Sequence, residues 1–169
     1  YGDNQPERET EILHSVGATQ YLCPGVRGWN TWVNMIRGGY RNITMMCGYA
    51  RKHEAVGMLN TDWGDYGHIN QPIFSIPGII YGAVCSWGEK VPEFEELNRQ
   101  ISVLEFGDAS GELVDCLDKM NQAAVFGWYS IVTIREWAMR GVEKEKILAE
   151  FVKEDMTRVP EKNACIDEL

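Results

Sequence analysis

Basic residues and long hydrophobic runs are what this sequence lacks. Its 16 Lys and Arg are outnumbered by 25 Asp and Glu, and the formal net charge is −9. That balance disfavours a nucleic-acid-binding surface, which requires clustered Lys and Arg. No apolar stretch approaches the roughly 18 residues that cross a membrane. The longest near-apolar segment, residues 73–87, is short and contains Pro77 and Gly78. We therefore expect neither nucleic acid nor a membrane as a partner.

Cysteines are few and have no paired spacing. There are five, and none belongs to a CxxC motif. Cys23, Cys47, Cys85 and Cys116 lie in apolar surroundings, which predicts buried thiols in a reducing compartment. The pattern favours a cytoplasmic location, although a secreted or surface location of a longer parent protein stays open. We expect no metal and no other cofactor.

The order of predicted elements divides the chain into two regions. Residues 1–90 read as α/β: helix 9–16, strand 20–26, helices 30–36 and 40–53 separated by Gly38-Gly39, strand 55–59 and helix 76–87. Residues 91–169 read as helical only, with helices at 93–104, 112–139 and 142–155 and a polar tail at 158–169. Two strands joined by a helical crossover are parallel neighbours by default. The chain starts without Met, so we expect a piece of a longer protein.

A polar and aromatic loop follows the second predicted strand, Ala55–Leu59. It carries Asp62, Trp63, Asp65 and His68, with two glycines as hinges. Sites in α/β folds lie at the carboxyl ends of parallel strands. Trp supplies a flat apolar plate and Asp supplies hydrogen-bond acceptors. This combination suits a sugar ring, which has an apolar C–H face and a rim of hydroxyl groups.

A second cluster, Cys23–Trp32, begins within the first predicted strand and continues beyond its end. If the strands are parallel neighbours, Trp29 emerges near Trp63, and the two rings and Asp65 face one pocket. Asp62 is a candidate for sugar contact, but a cap on backbone N–H groups of its own loop is the favoured role. His68 reads equally as a loop stabiliser or a site residue, and Trp29 as a pocket wall or a core residue. Three other tryptophans lie on helical stripes and are predicted to be core residues: Trp87, Trp128 and Trp137.

Three motifs together resemble a known family. They are CPG-x-x-x-WN (Cys23–Asn30), G-x-L-x-TDWGD-x-GH (Gly57–His68) and PG-x-x-YGA (Pro77–Ala83). This set resembles the bacterial branch of glycoside hydrolase family 20, which comprises β-N-acetylhexosaminidases and relatives on a (β/α)8 barrel. The resemblance covers roughly residues 9–88. It implies that the two strands are the last two of a barrel and that a helical extension follows.

The resemblance also implies roles for site residues. Trp63 would form a wall of the terminal-sugar site, and Asp65 would bind outer hydroxyls, with Asp where many members have Glu. Trp29 would be an additional wall by position. The family's catalytic Asp-Glu pair, which works with the substrate's own acetamido group, has no counterpart on a strand here. The only Asp-Glu sequence is Asp167-Glu168 in the polar tail. The chain is thus expected to be the C-terminal fragment of a hexosaminidase that lacks the catalytic acid and is inactive alone.

Two alternatives belong to other classes of protein. Asp62, Asp65 and His68 are spaced i, i+3, i+6 and suggest a metal-assisted hydrolase site. The helical half suggests a non-catalytic interaction module. Under the glycosidase reading the partner is a carbohydrate such as a terminal N-acetylhexosamine. The isolated piece would leave sheet edges and an apolar face uncovered, which predicts a homo-oligomer or association with a missing N-terminal part.

Overall fold

The chain folds into a mostly helical structure around a small parallel sheet. A computed structural model describes residues 5–149 and 156–167, except for the side chains of residues 165 and 167. Two single-turn helices, Asp65–Gly67 and Pro72–Ser75, precede α3. The main elements are α1 (Arg8–Ser15), β1 (Tyr21–Leu22), α2 (Ile36–Lys52), β2 (Gly57–Met58), α3 (Ile76–Trp87), α4 (Phe94–Leu104), α5 (Leu113–Ala123), α6 (Trp128–Met139), α7 (Lys144–Ile147) and α8 (Val159–Asp167). Among the described residues, no helix is long and apolar enough to span a membrane.

The two strands are parallel neighbours, as their crossover connection predicts. Tyr21 lies opposite Gly57, and Leu22 lies opposite Met58. The parallel pairing continues beyond the strands to a bridge between Gly25 and Thr61. The loops that follow β1 and β2 therefore leave the sheet side by side.

Helices cover one face of the sheet and leave the other face open. Leu22 is buried and Met58 packs against the main core, which α2, α3, α4 and α5 share. On the opposite face, Tyr21 is 61% exposed and Leu59 is 60% exposed. The core joins residues from both halves of the sequence: Val33, Ile36, Ile43, Cys47, Tyr81, Cys85, Phe94, Leu97, Ile101, Val114 and Leu117.

Helix α2 differs from its prediction at both glycines. The predicted helix 30–36 is absent, and α2 instead begins at Ile36 and continues through Gly38-Gly39. A Cβ placed on Gly39 would lie 2.9 Å from the carbonyl oxygen of Val26. Gly39 is therefore a point of close approach between the helix and the loop after β1. The prediction that these glycines break the helix is wrong, because it considered backbone entropy without packing.

Helix α3 agrees with its prediction, but the C-terminal region does not. Helix α3 spans Ile76–Trp87 with Pro77 in its first turn, as expected. The predicted helix 112–139 is two helices, because the backbone is extended at Ala124 and Gly127. The predicted polar tail contains α8, which packs on α5. Of the predicted helix 142–155, residues 150–155 lie outside the described part of the chain.

Several side chains predicted to be core residues lie elsewhere. Trp87 is 92% exposed, so the prediction that it packs in the core is wrong. Trp128 and Trp137 are only half-buried. Helical spacing alone cannot say which stripe faces the core, and each of these rings lies away from it. Among the cysteines, Cys47 and Cys85 are buried as predicted, whereas Cys23 and Cys116 are half-buried.

The close approach at Gly39 yields a matched pair of stability predictions. Gly48 lies in the same helix, and a Cβ placed there would meet nothing within 4 Å. Gly48→Ala is expected to stabilise the protein by about 0.5–1 kcal/mol, because Ala has the higher helix propensity. Gly39→Ala is expected to destabilise it by about 1–3 kcal/mol through the clash with Val26. Urea unfolding measures both, and an equal gain from both substitutions would contradict this packing.

A second prediction concerns Asp108, whose carboxylate caps the start of α5. It accepts hydrogen bonds from the Ser110 hydroxyl and from the backbone N–H groups of Leu113, Ser110 and Glu112. These bonds lower the pKa of Asp108 to about 2. Because the unfolded value is about 3.9, the stabilisation is present above that pH and is lost as the pH falls towards the folded pKa. Asp108→Asn is expected to remove this part of the dependence of the unfolding free energy on pH below about 4. An unchanged dependence in the variant would contradict the cap.

Candidate functional site

The candidate site is built on two loops that the sheet holds in register. The backbone N–H of Thr61 donates to the carbonyl of Pro24 at 2.8 Å, and that of Val26 donates to the carbonyl of Thr61 at 2.9 Å. The Thr61 hydroxyl also donates to the Pro24 carbonyl at 2.8 Å. These bonds fix the relative position of the two polar clusters that the sequence predicts.

Trp29 and Trp63 both lie at the Gly25–Thr61 bridge. The Trp29 ring lies directly over Gly25, where a Cβ would be 2.8 Å from the ring and 3.4 Å from Oγ1 of Thr61. From the other loop, Nε1 of Trp63 donates to Oγ1 of Thr61 at 3.1 Å. Trp63 is 47% exposed, and Trp29 is half-buried. The structure therefore brings the two predicted aromatic walls to the same end of the sheet.

Both acidic residues of the second loop are exposed. Asp65 begins the short helix Asp65–Gly67, and its carboxylate forms no hydrogen bond or ion pair within the described residues. Among the described residues, the Asp62 carboxylate does not form the expected hydrogen bonds with backbone N–H groups of its own loop. Its Oδ1 instead faces Gly28, where a Cβ would lie 2.9 Å away. Both carboxylates are therefore accessible at the surface of the second loop.

His68 contacts the backbone of its own loop. Its Nδ1 lies 3.1 Å from the carbonyl oxygen of Trp63, closing the loop on itself. Its φ of +49° and that of Tyr66 (+53°) are left-handed, as are those of Arg27 (+62°) and Asn30 (+61°) in the first loop. Each such conformation costs about 1–3 kcal/mol, and such residues cluster at binding sites. The surrounding contacts hold both loops in this strained shape.

A buried amide network supports the first loop from below. Nδ2 of Asn34 donates to the Val26 carbonyl at 3.3 Å and to the Ser75 hydroxyl at 3.1 Å. Nδ2 of Asn70 donates to the Gly28 carbonyl at 2.9 Å and to Oδ1 of Asn34 at 2.7 Å. The sequence does not indicate this network, because Asn34 falls in the predicted helix 30–36 and an isolated Asn in a loop, such as Asn70, is typical of a turn. They tie the first loop to the segment that leads into α3.

The helical half also contacts both loops. The Trp128 backbone N–H donates to the Asn30 carbonyl at 2.9 Å, and its Nε1 donates to the Tyr66 carbonyl at 2.9 Å. Nε1 of Trp32 donates to the carbonyl of Phe126 at 2.6 Å. Trp128 therefore fastens the start of α6 to the two loops instead of packing in the core. No sequence signal at Trp128 could reveal this, because its partners are backbone carbonyls distant in sequence.

The predicted metal alternative finds no donor set. Within the described residues, no three or more His, Cys, Asp and Glu side chains are grouped so as to hold a metal ion. Asp62, Asp65 and His68 are no exception, and the Nδ1 of His68 already faces the Trp63 carbonyl. The Asp167 side chain and Glu168, the only Asp-Glu sequence, lie outside the described residues.

Comparison of the chain with protein-family models, with curated proteins and with solved structures found no significant match. The resemblance to glycoside hydrolase family 20 therefore rests on the three motifs quoted above. A function for the chain has to be argued from the geometry of the two loops.

The hydroxyl of Thr61 links the two loops, which gives a third prediction. Thr61→Val keeps the shape but removes the acceptor of Trp63 and the donor to Pro24. The protein is expected to lose about 1–3 kcal/mol, and the Trp63 indole N–H to exchange faster in NMR. Thr44→Val is the control, because that hydroxyl donates only to carbonyls of its own helix. An unchanged Trp63 indole signal in Thr61→Val would contradict the link.

Proposed function

We propose that this chain is the C-terminal part of a glycoside hydrolase that acts on terminal β-linked N-acetylhexosamine. In this proposal the chain supplies substrate-binding residues but not the catalytic acid. The observation that carries it is the position of Trp29 and Trp63 at the Gly25–Thr61 bridge, at the carboxyl ends of adjacent parallel strands. The family resemblance of the same segments points to the same chemistry.

The sheet itself supports a place in a (β/α)8 barrel. In such a barrel, helices cover the outside of the sheet and the other face points inward. Here the open face carries the exposed side chains of Tyr21 and Leu59. Helix α1 contains no buried residue, and its apolar side chains Ile12 and Leu13 are exposed. These surfaces fit association with further strands of a parent barrel or, for the isolated chain, with a second copy.

Each site residue has a role in sugar binding under this proposal. Trp63 stacks on the apolar C–H face of the terminal sugar, and Trp29 forms a second wall. The Asp65 carboxylate accepts hydrogen bonds from outer hydroxyls, which are stronger than neutral ones because the acceptor is charged. Asp62 supplies a further acceptor, and His68 holds the loop that carries Trp63 and Asp65.

In this proposal the catalytic acid is supplied by another strand of the parent barrel. Hydrolysis with substrate assistance needs an acid beside the scissile bond and a carboxylate that orients the acetamido group. Asp62 and Asp65 are both on the loop that binds the outer hydroxyls in this proposal, so neither is beside the scissile bond. The isolated chain is thus expected to bind sugar without cleaving it.

The contacts of Trp128 favour this proposal over a separate helical interaction module. The start of α6 is fastened to both loops, so the helical half supports the site. A module that works on its own surface does not require that contact. The helical half is better explained as the part that holds the sugar-binding loops in place.

The proposal predicts the effect of removing each of two tryptophans. Trp63→Ala is expected to weaken binding of N-acetylglucosamine by about tenfold or more in calorimetry, because the stacking face is lost. Trp87→Ala removes the same side chain from an exposed site on α3 and should leave the affinity unchanged. Asp65→Asn should also weaken binding. Equal affinity of the Trp63→Ala variant and the unmodified chain would remove Trp63 from the site.

A further inference from the structure

A cavity lies between the loop after β1, the end of α5 and helix α8. Its volume is about 300 Å³, and its lining includes Asn30, Trp32, Asn121, Arg158 and Lys162. Among the described residues, no Asp or Glu lines it. The charged residues of its lining are Arg158 and Lys162.

Lys162 is the buried cation of this cavity. Its side chain belongs to a residue that is only 8% exposed, and its Nζ donates to the carbonyl of Gln122 in the last turn of α5. A cation at a helix C-terminus is favourable. An ammonium group has three donors, however, and a buried charge is costly unless it is paired. Within the described part of the chain, no carboxylate lies within ion-pair distance of Lys162.

Arg158 lies one helical turn before Lys162. The backbone N–H of Lys162 donates to the Arg158 carbonyl at 3.0 Å, so the two side chains are neighbours on the same face. The guanidinium of Arg158 likewise forms no ion pair with the described residues. Two cationic groups therefore line the same cavity, and no carboxylate of the described residues pairs with either.

The opposite wall of the cavity offers groups of another kind. The Oδ1 atom of Asn30 is buried and has no hydrogen-bond partner in the described part of the chain. The Nε1 of Trp32 donates a hydrogen bond to the carbonyl of Phe126. This bond fixes the Trp32 ring, and part of the ring surface stays exposed. The cavity thus combines excess donors with positive charge, one unsatisfied acceptor and an aromatic wall.

We propose that this cavity binds a small carboxylic acid that carries hydroxyl groups, of which a hexuronic acid is the type. Lys162 and Arg158 hold the carboxylate, because charge-assisted hydrogen bonds are the strongest that these groups form. Asn30 accepts a hydrogen bond from a hydroxyl, and Trp32 contacts the carbon skeleton. The volume of about 300 Å³ is at the small end for ligand cavities and suits one ring. The site is separate from the Trp29–Trp63 site and does not rest on the function proposed for it.

Calorimetry with three probes tests the proposed ligand class. Glucuronate is expected to bind the chain at low ionic strength, and glucose, of the same size but uncharged, is not. Added NaCl should weaken glucuronate binding, because salt screens the two charges. Equal binding of glucose would overturn the role of the carboxylate. Equal binding of inorganic phosphate would overturn the role of the hydroxyl groups.

Charge-removing variants locate the binding. Arg158→Gln and Lys162→Gln are each expected to weaken glucuronate binding by about tenfold or more. Lys90→Gln, which removes one charge from the exposed loop between α3 and α4, should leave it unchanged. Circular dichroism monitors whether Lys162→Gln disturbs α8. Arg158 is exposed, so Arg158→Gln tests the site even if Lys162→Gln alters the fold. Glucuronate binding that neither variant weakens would overturn the site. Binding of N-acetylglucosamine should be the same in both variants and thus reports separately on the Trp63 site.

Discussion

The structure depends on the parallel register between the segments that contain β1 and β2. Backbone bonds run from the Leu59 N–H to the Leu22 carbonyl, at 2.9 Å, and on to the pairing of Thr61 with Pro24 and Val26. Because side chains alternate between faces, a slip of one residue would turn Leu59 and Trp63 to the opposite face of the sheet. The same slip would separate Trp29 from Trp63. The candidate site therefore exists only in this register.

Val26 shows how the helices hold that register in place. It is buried, and glycines of two helices approach it closely. A Cβ on Gly39 of α2 would lie 2.9 Å from its carbonyl oxygen, and a Cβ on Gly78 of α3 would lie 2.5 Å from its Cβ. The amide of Asn34 binds the same carbonyl. Two helices and a buried amide thus converge on one loop residue, which lets the loops keep strained left-handed conformations above it.

The elements that depend on short segments could be predicted from the sequence. The elements that depend on contacts between distant segments could not. The parallel strands, helix α3 and the two aromatic clusters follow from short apolar runs, from the crossover and from the motifs. Gly38-Gly39 was read as a break, because the approach of Val26 is invisible in the sequence. The extended backbone at Ala124 and Gly127, which lets α6 reach the loops, is set in the same way by contacts such as that of Trp128 with Asn30. The Asn34–Asn70 network was missed for the same reason.

The helical half gives the loops two surroundings of opposite character. On one side of the first loop, Trp29 and Trp63 lie at the Gly25–Thr61 bridge, and the loop of Trp63 carries the exposed acids Asp62 and Asp65. On the other side, Asn30, Trp32, Lys162 and Arg158 line the cavity between this loop, α5 and α8. Asn30 lies between the two, since its carbonyl accepts from the Trp128 backbone while its side chain lines the cavity. Because its backbone carbonyl serves the loop contact and its side chain serves the cavity, removing a charge at Lys162 or Arg158 leaves the contact that holds the first loop in place.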